Sequence, residues 1–402
     1  VSQAAPGGES FAASAVLRKF SGPEADELSF AFRPTGEDRS PAAQAEAIYR
    51  SLAKVLTAHD ASFQHLTAET LLLRDVRADL PAVLEVRARV LAQLGQGEVA
   101  PLPSFIQQAP VDRQEALALS AWAVVPRHPG AWSVRDVRFT QPCPCEGCAR
   151  SGARLVRLGD QISLRTTNLH GAGGDAYTQT REMFSQAERL LQQEGMGFRD
   201  VVRTWIHLRD IDRDYDALNR ARKEFFAQHG VELRPASTGV QGAPFPAEHD
   251  VSLSLVAMQS GRGLAVTRMS APSLNEAWSY GADFSRGLRL TEANKVMLYV
   301  SGTASIDEAG RTAHVGDFAA QAERMLHNVR LLLGKQGASF GDLVQGVSYL
   351  KHASDAPALR ALYRQHGFDH FPCPTVEAGL CRPALLCEVE VAAVLPLPAV
   401  GA

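Results

Sequence analysis

The chain of 402 residues is short of cysteine, of aromatics, of any charge surplus and of long apolar runs. Each shortage excludes a class of protein. Six cysteines in a chain this long, with no secretion signal, do not make a disulfide scaffold; they fit a reduced, cytosolic protein. There are 41 basic residues against 44 acidic ones, so no basic excess is available to neutralise phosphates, and no nucleic-acid partner is expected. No stretch approaches the roughly 18 apolar residues that span a bilayer, so no membrane partner is expected either. Residues 1–10 have neither the basic nor the apolar region of a leader and read as a loose tail. What remains is 45% apolar and 21% charged, an ordinary globular composition. At about 150 residues per domain, the length allows two to three domains.

The chain repeats itself about every 140 residues. Asp60-Ala-Ser-Phe63, Gly195-Met-Gly-Phe198 and Gly337-Ala-Ser-Phe340 are related stretches. Ten residues after each Phe stands Leu73, Leu208 or Leu350, and nineteen before it stands Gln44, Gln179 or Gln321. Each copy opens on an alternating strand: Leu28-Ser-Phe-Ala-Phe, Gln161-Ile-Ser-Leu-Arg and Val296-Met-Leu-Tyr-Val-Ser. A long amphipathic helix follows; in the third copy Asp317 caps it, and Phe318, Met325, Leu326, Val329 and Leu333 recur near helical spacing. The glycine-containing turn ends the helix. A second strand, such as 201–208, and a second helix, such as 215–228, come next. An apolar strand closes each copy, over 116–125, 251–258 and 385–395. This order predicts an α/β (α+β) unit, a mixed sheet with two helices on one face. The bare second face of each sheet must be covered, and three units in one chain can cover it together as an intramolecular pseudotrimer. The expected organisation is a divergent repeat over 11–128, a Pro/Cys connection over 129–152, repeats over 153–262 and 293–402, and a second connection over 263–292. Such a chain is expected to be monomeric.

The Gln at the helix start, the Gly-Ala-Ser-Phe turn and the closing Glu388-Val-Glu-Val strand resemble the RidA/YjgF family of homotrimers. Five stretches of the last 250 residues resemble the chorismatases, larger relatives within that superfamily. They are Arg203-Thr-Trp-Ile-His; Pro235-Ala-Ser-Thr-Gly-Val; Ser301-Gly-Thr-Ala-Ser-Ile with His314-Val-Gly-Asp317; Tyr349-Leu-Lys351; and Cys381-Arg-Pro-Ala-Leu-Leu-Cys-Glu388. The connecting segment 271–286 is also similar but shorter, and the first 150 residues match poorly. The resemblance implies an active site between repeats two and three, with a catalytic Glu seven residues after a Cys or Ala. It implies cleavage of the enolpyruvyl ether of chorismate or a related cyclohexadiene carboxylate. The products would be pyruvate and a dihydroxycyclohexadienoate or hydroxybenzoate, for secondary metabolism, with no cofactor.

Aligning the closing strands makes Glu388 the sharpest candidate. It falls opposite Ala118 and Ser252, while Glu390 falls opposite Ser120 and Ser254, so only the third copy offers carboxylates here. Strand glutamates usually face water. The apolar flanks of Glu388 instead predict a desolvated carboxyl with a raised pKa, suited to a general acid. Glu390 keeps the ordinary reading of a strand glutamate that faces water. Arg203, Arg286, Lys351 and Arg382 are candidate anchors for an anionic metabolite, against the ordinary reading of surface ion pairs. Trp205 and Tyr280 are candidate ring contacts, with a core role as the alternative. By resemblance Cys381 shapes the pocket and the choice of product; it is equally a small buried hydrophobe. Gln321 recurs in every copy and is read as structural. RidA-type deaminases carry a carboxylate-binding Arg near the closing loop, but Pro103-Ser-Phe, Pro235-Ala-Ser-Thr and Phe371-Pro-Cys-Pro-Thr have none. This weighs against the generic deaminase activity. The alternatives are a hydrolase or deaminase of another enol, enamine or imine, and a non-catalytic metabolite binder.

Cys143, Cys145 and Cys148 are close enough to share a zinc ion with one further ligand, but no second pair or suitably spaced His accompanies them. A plain Pro/Cys loop is the first reading, so no metal is assigned. Gly171-Ala-Gly-Gly lacks the Lys-Ser/Thr of a phosphate-binding loop and is assigned no nucleotide.

Overall fold

Three successive stretches of chain build three sheets, each backed by two helices. The computed structural model of the protein describes residues 13–139, 149–261, 263–271 and 283–397. Unit 1 runs β1 (Ala13–Ser21), β2 (Ala25–Pro34), α1 (Pro41–Ala58), β3 (Leu66–Leu73), α2 (Leu80–Gln93), β4 (Ser104–Gln107) and β5 (Leu117–Pro126). Unit 2 runs β6 (Trp132–Val137), β7 (Gly152–Leu158), β8 (Gln161–Thr167), β9 (Leu169–His170), α3 (Ala176–Gln192), β10 (Val201–Leu208), α4 (Ile211–Gln228), β11 (Ala236–Gln241) and β12 (Val251–Ser260). Unit 3 runs β13 (Ala265–Arg268), β14 (Gly287–Thr291), β15 (Lys295–Ala304), α5 (Phe318–Gly334), β16 (Leu343–Leu350), α6 (Ala356–His366), β17 (Thr375–Glu377) and β18 (Cys387–Pro396). The strand orders are β1-β2-β5-β3-β4, β11-β10-β12-β8-β7-β6 with β9 beside β12, and β13-β14-β15-β18-β16-β17. In each sheet the closing strand lies in the middle, and one edge pair is parallel. The sheets take in parts of both expected connections: β6 comes from 129–152, and β13 and β14 from 263–292.

The repeated residues do repeated work. Ser40, Asp175 and Asp317 cap the first helices by accepting from the amides of Ala43, Thr178 and Ala320. After those helices the chain turns at Asp60, Gly195 and Gly337, all left-handed with φ of 54°, 70° and 76°. The three glutamines tie each helix to the start of its closing strand. Gln44 accepts from the Ala116 amide at 2.7 Å, Gln179 from Asp250 at 2.8 Å and Gln321 from Leu386 at 2.9 Å. This matched anchoring sets the three closing strands in the same register. Helix α4 begins at Ile211, four residues before the expected start, because Asp210 caps it.

Each sheet buries one face against its own helices, in three separate apolar cores. The other faces meet one another. Trp122 of unit 1, Val256 and Met258 of unit 2, and Leu288, Tyr299 and Val394 of unit 3 form one shared cluster. Polar links cross all three boundaries. Arg154 donates to the Gln64 and Val99 carbonyls of unit 1 at 2.8 Å each. The Ser237 amide donates to Ser301 Oγ of unit 3 at 2.8 Å. Lys295 of unit 3 pairs with Glu27 of unit 1. The three units therefore close on themselves as a pseudotrimer within one chain.

Candidate active site

Glu388 lies in β18, between Ala304 of β15 and Tyr349 of β16. The β15–β18 ladder breaks between Val300 and Thr303, so Ser301 and Gly302 bulge opposite Glu390. Bulges of this kind re-aim side chains and recur beside active sites. Here the bulge brings Gly302 under the Glu388 carboxyl. A Cβ on Gly302 would stand 2.1 Å from Glu388 Oε1 and 3.2 Å from Thr238 Cγ2, so any side chain here would push the carboxyl from its place.

The Glu388 side chain lines a pocket between units 2 and 3. Tyr215, Asn219 and Arg222 of α4 supply one wall, and Arg286, Cys381 and Arg382 supply the other. Glu388 is 4% exposed, and among the described residues no hydrogen bond reaches its carboxyl. Burial, reinforced by the neighbouring charge of Glu390 and opposed by Arg286 and Arg203, pushes its pKa up to about 8. At neutral pH the group therefore carries a proton it can donate.

Three arginines line the pocket, against the carboxyls of Asp216 and Glu388. Arg222, buried in the apolar stripe of α4, donates to Asn219 Oδ1 at 2.6 Å and lies 5.7 Å from the Phe284 ring. Arg286 lies 5.9 Å from the same ring on the side of unit 3. Arg382 donates to the Gly310 carbonyl at 2.7 Å and turns the closing segment along the pocket edge. Burial and the Glu388 charge push the Cys381 thiol up to about 12, so it stays an uncharged wall group rather than a nucleophile.

The expected site residues divide. Glu388, Arg286, Arg382 and Cys381 come together. Arg203 and Trp205 do not line this pocket. They hold Glu390 instead, through Arg203 Nη2 at 2.6 Å and Trp205 Nε1 at 2.7 Å, with the guanidinium 4.7 Å from the indole. Arg203 also donates to Thr238 Oγ1 at 2.6 Å, and that oxygen accepts from the Gly302 amide at 3.0 Å. Arg203 thus supports the bulge from behind, and Glu390, expected to face water, is instead buried as its counter-ion. Lys351 faces a different cleft, with Arg77 and Arg209, and donates to the Pro383 carbonyl. The reason is its place one residue beyond β16, where the strand alternation no longer sets its direction. Tyr280, Cys143, Cys145 and Cys148 lie outside the described residues. Among the described residues no cluster of three or more His, Cys, Asp or Glu could hold a metal. Among the described residues no helix is long and apolar enough to cross a membrane.

Arg222, Asn219 and Tyr215 were not singled out from the sequence. Their signal is polar side chains at i, i+4 and i+7 of one helix, with an Arg next to Ala221, four residues from Leu218 and three from Phe225 on the buried side.

Comparison with known proteins agrees with this architecture. The family described as Endoribonuclease L-PSP matches residues 152–259 and 279–395, more than half of the chain. A 3-hydroxybenzoate synthase of Streptomyces hygroscopicus is 28% identical over 241 residues, covering 53% of this chain and 69% of that one. The 3-aminoacrylate deaminase RutC of Acinetobacter baylyi is 32% identical over 100 residues, 25% of this chain and 79% of that one. The crystal structure of a chorismatase has the same fold, with a TM-score of 0.58 at 16% identity; the match covers 82% of this chain and 93% of that one.

Proposed function

This chain belongs to the Endoribonuclease L-PSP (RidA/YjgF) family, with a chorismatase-like arrangement of three units, and we propose that it is an enzyme cleaving the enolpyruvyl ether of chorismate or a related cyclohexadiene carboxylate. The observation that carries the reading is a buried carboxyl, its pKa raised by burial, facing a pocket with three arginines. Arg222, Arg286 and Arg382 hold the substrate carboxylates. Glu388 delivers its proton to the methylene carbon of the enol ether. The ether carbon gains oxocarbenium character, water adds to it, and the hemiketal collapses. Pyruvate leaves, the ring keeps the ether oxygen as a hydroxyl, and Glu388 recovers its proton from the added water. If an internal hydroxyl completes the cleavage instead, the ring product is a hydroxybenzoate. The similarity to a 3-hydroxybenzoate synthase supports a product of this class.

A second reading has one observation in its favour. The match to a 3-aminoacrylate deaminase points to enamines, which the same carbon protonation would activate. Incubation with chorismate, with pyruvate read by coupled lactate dehydrogenase, separates the two. Pyruvate release that Glu388→Gln abolishes supports the ether cleavage. Release that survives the substitution overturns the role of Glu388. No release from folded protein moves the substrate to another enol, enamine or imine, or leaves a binding protein without turnover.

A further inference from the structure

A second cavity lies where the three sheets meet, and it shares no lining residue with the Glu388 pocket. Trp122 of unit 1, Arg165 and Trp205 of unit 2, and Tyr299 and Gln345 of unit 3 all face it. Its charges cancel in pairs, with one exception. Arg87 holds Glu69, Arg154 holds Asp136, and Arg203 holds Glu390. Arg165 has no acidic partner among the described residues, and its guanidinium lies 5.6 Å from the Trp122 ring. In the β7–β8 ladder Arg165 stands directly opposite Arg154, a pairing of like charges that costs stability. Two further nitrogens in residues lining the cavity, Arg203 Nη1 and Arg154 Nε, have no hydrogen-bond acceptor. They belong to residues only 2% and 5% exposed.

An uncompensated guanidinium lining the cavity calls for an anion with acceptor oxygens. The size limits which anion. The cavity volume is about 130 Å³, near the roughly 150 Å³ that admits a benzene ring. Its aromatic walls suit a flat, apolar body. We propose that this chamber binds a compact aromatic or cyclic monocarboxylate, with its carboxylate on Arg165 and its ring beside Trp122. The site is independent of the catalytic reading: it needs neither Glu388 nor turnover.

Benzoate is the probe, titrated into the full chain and followed by calorimetry and by tryptophan fluorescence. Saturable binding is expected, with at least roughly tenfold weaker affinity in Arg165→Met, the scale of one lost charge-assisted contact. Arg222→Met, which removes a carboxylate anchor of the Glu388 pocket, should bind benzoate as the wild type does. Arg165→Met should also unfold at no lower temperature, because it removes the repulsion with Arg154. Trp122→Phe should keep the heat of binding and lose most of the fluorescence change. The proposal is overturned by an absence of saturable binding, by wild-type affinity in Arg165→Met, or by loss of binding in Arg222→Met, which would put the ligand in the catalytic pocket.

Discussion

At the boundary of units 2 and 3 the closing strand presents Glu388 opposite Ala304; at the boundary of units 1 and 2 it presents Ser252 opposite His170. Both ladders are interrupted at the same place, but the residue in the interruption differs. Gly302 occupies the first and leaves room for a carboxyl. Asn168, at a φ of 52°, occupies the second. Its amide donates to the Pro103 and Arg150 carbonyls at 2.9 Å each and accepts from the Phe105 amide at 3.1 Å, joining unit 2 to unit 1. His170 packs against His249 with ring centroids 4.3 Å apart and the planes tilted by 47°. Burial lowers both imidazoles, and it takes His249, with help from His170, to about 4. In unit 1, β2 pairs with β5 without an interruption, and Ala118 stands where Glu388 stands in unit 3. One repeated frame thus carries an acid at one boundary and a polar seal at another. A handful of side chains makes the difference, and the sheet topology does not.

The largest effects should come from exchanging the acid. Glu388→Gln should lower turnover by about 10²–10⁴-fold, the usual contribution of a positioned general acid, with the fold kept by circular dichroism. Ser252→Glu should create no activity at the sealed boundary. It should instead destabilise the protein by about 3 kcal/mol or more in urea unfolding, because it buries an unpaired carboxyl. Exchanging the residue in the bulge comes next. Gly302→Ala should cost about 10²-fold in kcat by displacing the Glu388 carboxyl. Asn168→Ala should leave kcat alone and cost about 1–3 kcal/mol of stability, by stranding the buried groups it now bonds. Removing an anchor is a smaller change: Arg222→Met should raise KM roughly tenfold or more with little change in kcat, if the arginine serves binding rather than the chemical step.

The acid also gives the protein a pH dependence of stability. The folded pKa of Glu388 lies above its ordinary value of 4.5, so between about pH 4.5 and 8 the folded state holds a proton that the unfolded state releases. Stability should therefore fall as pH rises through that window, by on the order of a few kcal/mol. Glu388→Gln should remove this fall, as read from unfolding midpoints across pH. The smallest effect belongs to Cys381→Ala, which should change the rate by less than about tenfold, since an uncharged wall group is lost without a change in charge.

How much was legible follows from these same residues. The repeat was legible because Gln44, Gln179 and Gln321 make the same bond in each unit, so their spacing is a structural constraint. Glu388 was legible because that spacing sets the closing strands in register and exposes the one copy that differs. The anchors were less so. Arg203 and Trp205 lie on the same inner sheet face as the site, but that face borders two cavities, and alternation along a strand cannot tell one from the other. Arg222 was hidden by its helix, which reads as a stripe of core positions with an arginine among them. The bulge at Gly302 is a property of pairing between strands about 85 residues apart, and no local pattern announces it.

Acid catalysis by Glu388 requires a protonated carboxyl at neutral pH, and that can be measured without any substrate. Carbon-13 labelling of the glutamate side chains, with Glu388→Gln to assign the signal, gives its titration directly. A midpoint near 8 is the result predicted. A midpoint near 4.5 would mean that Glu388 is ionised and cannot be the acid.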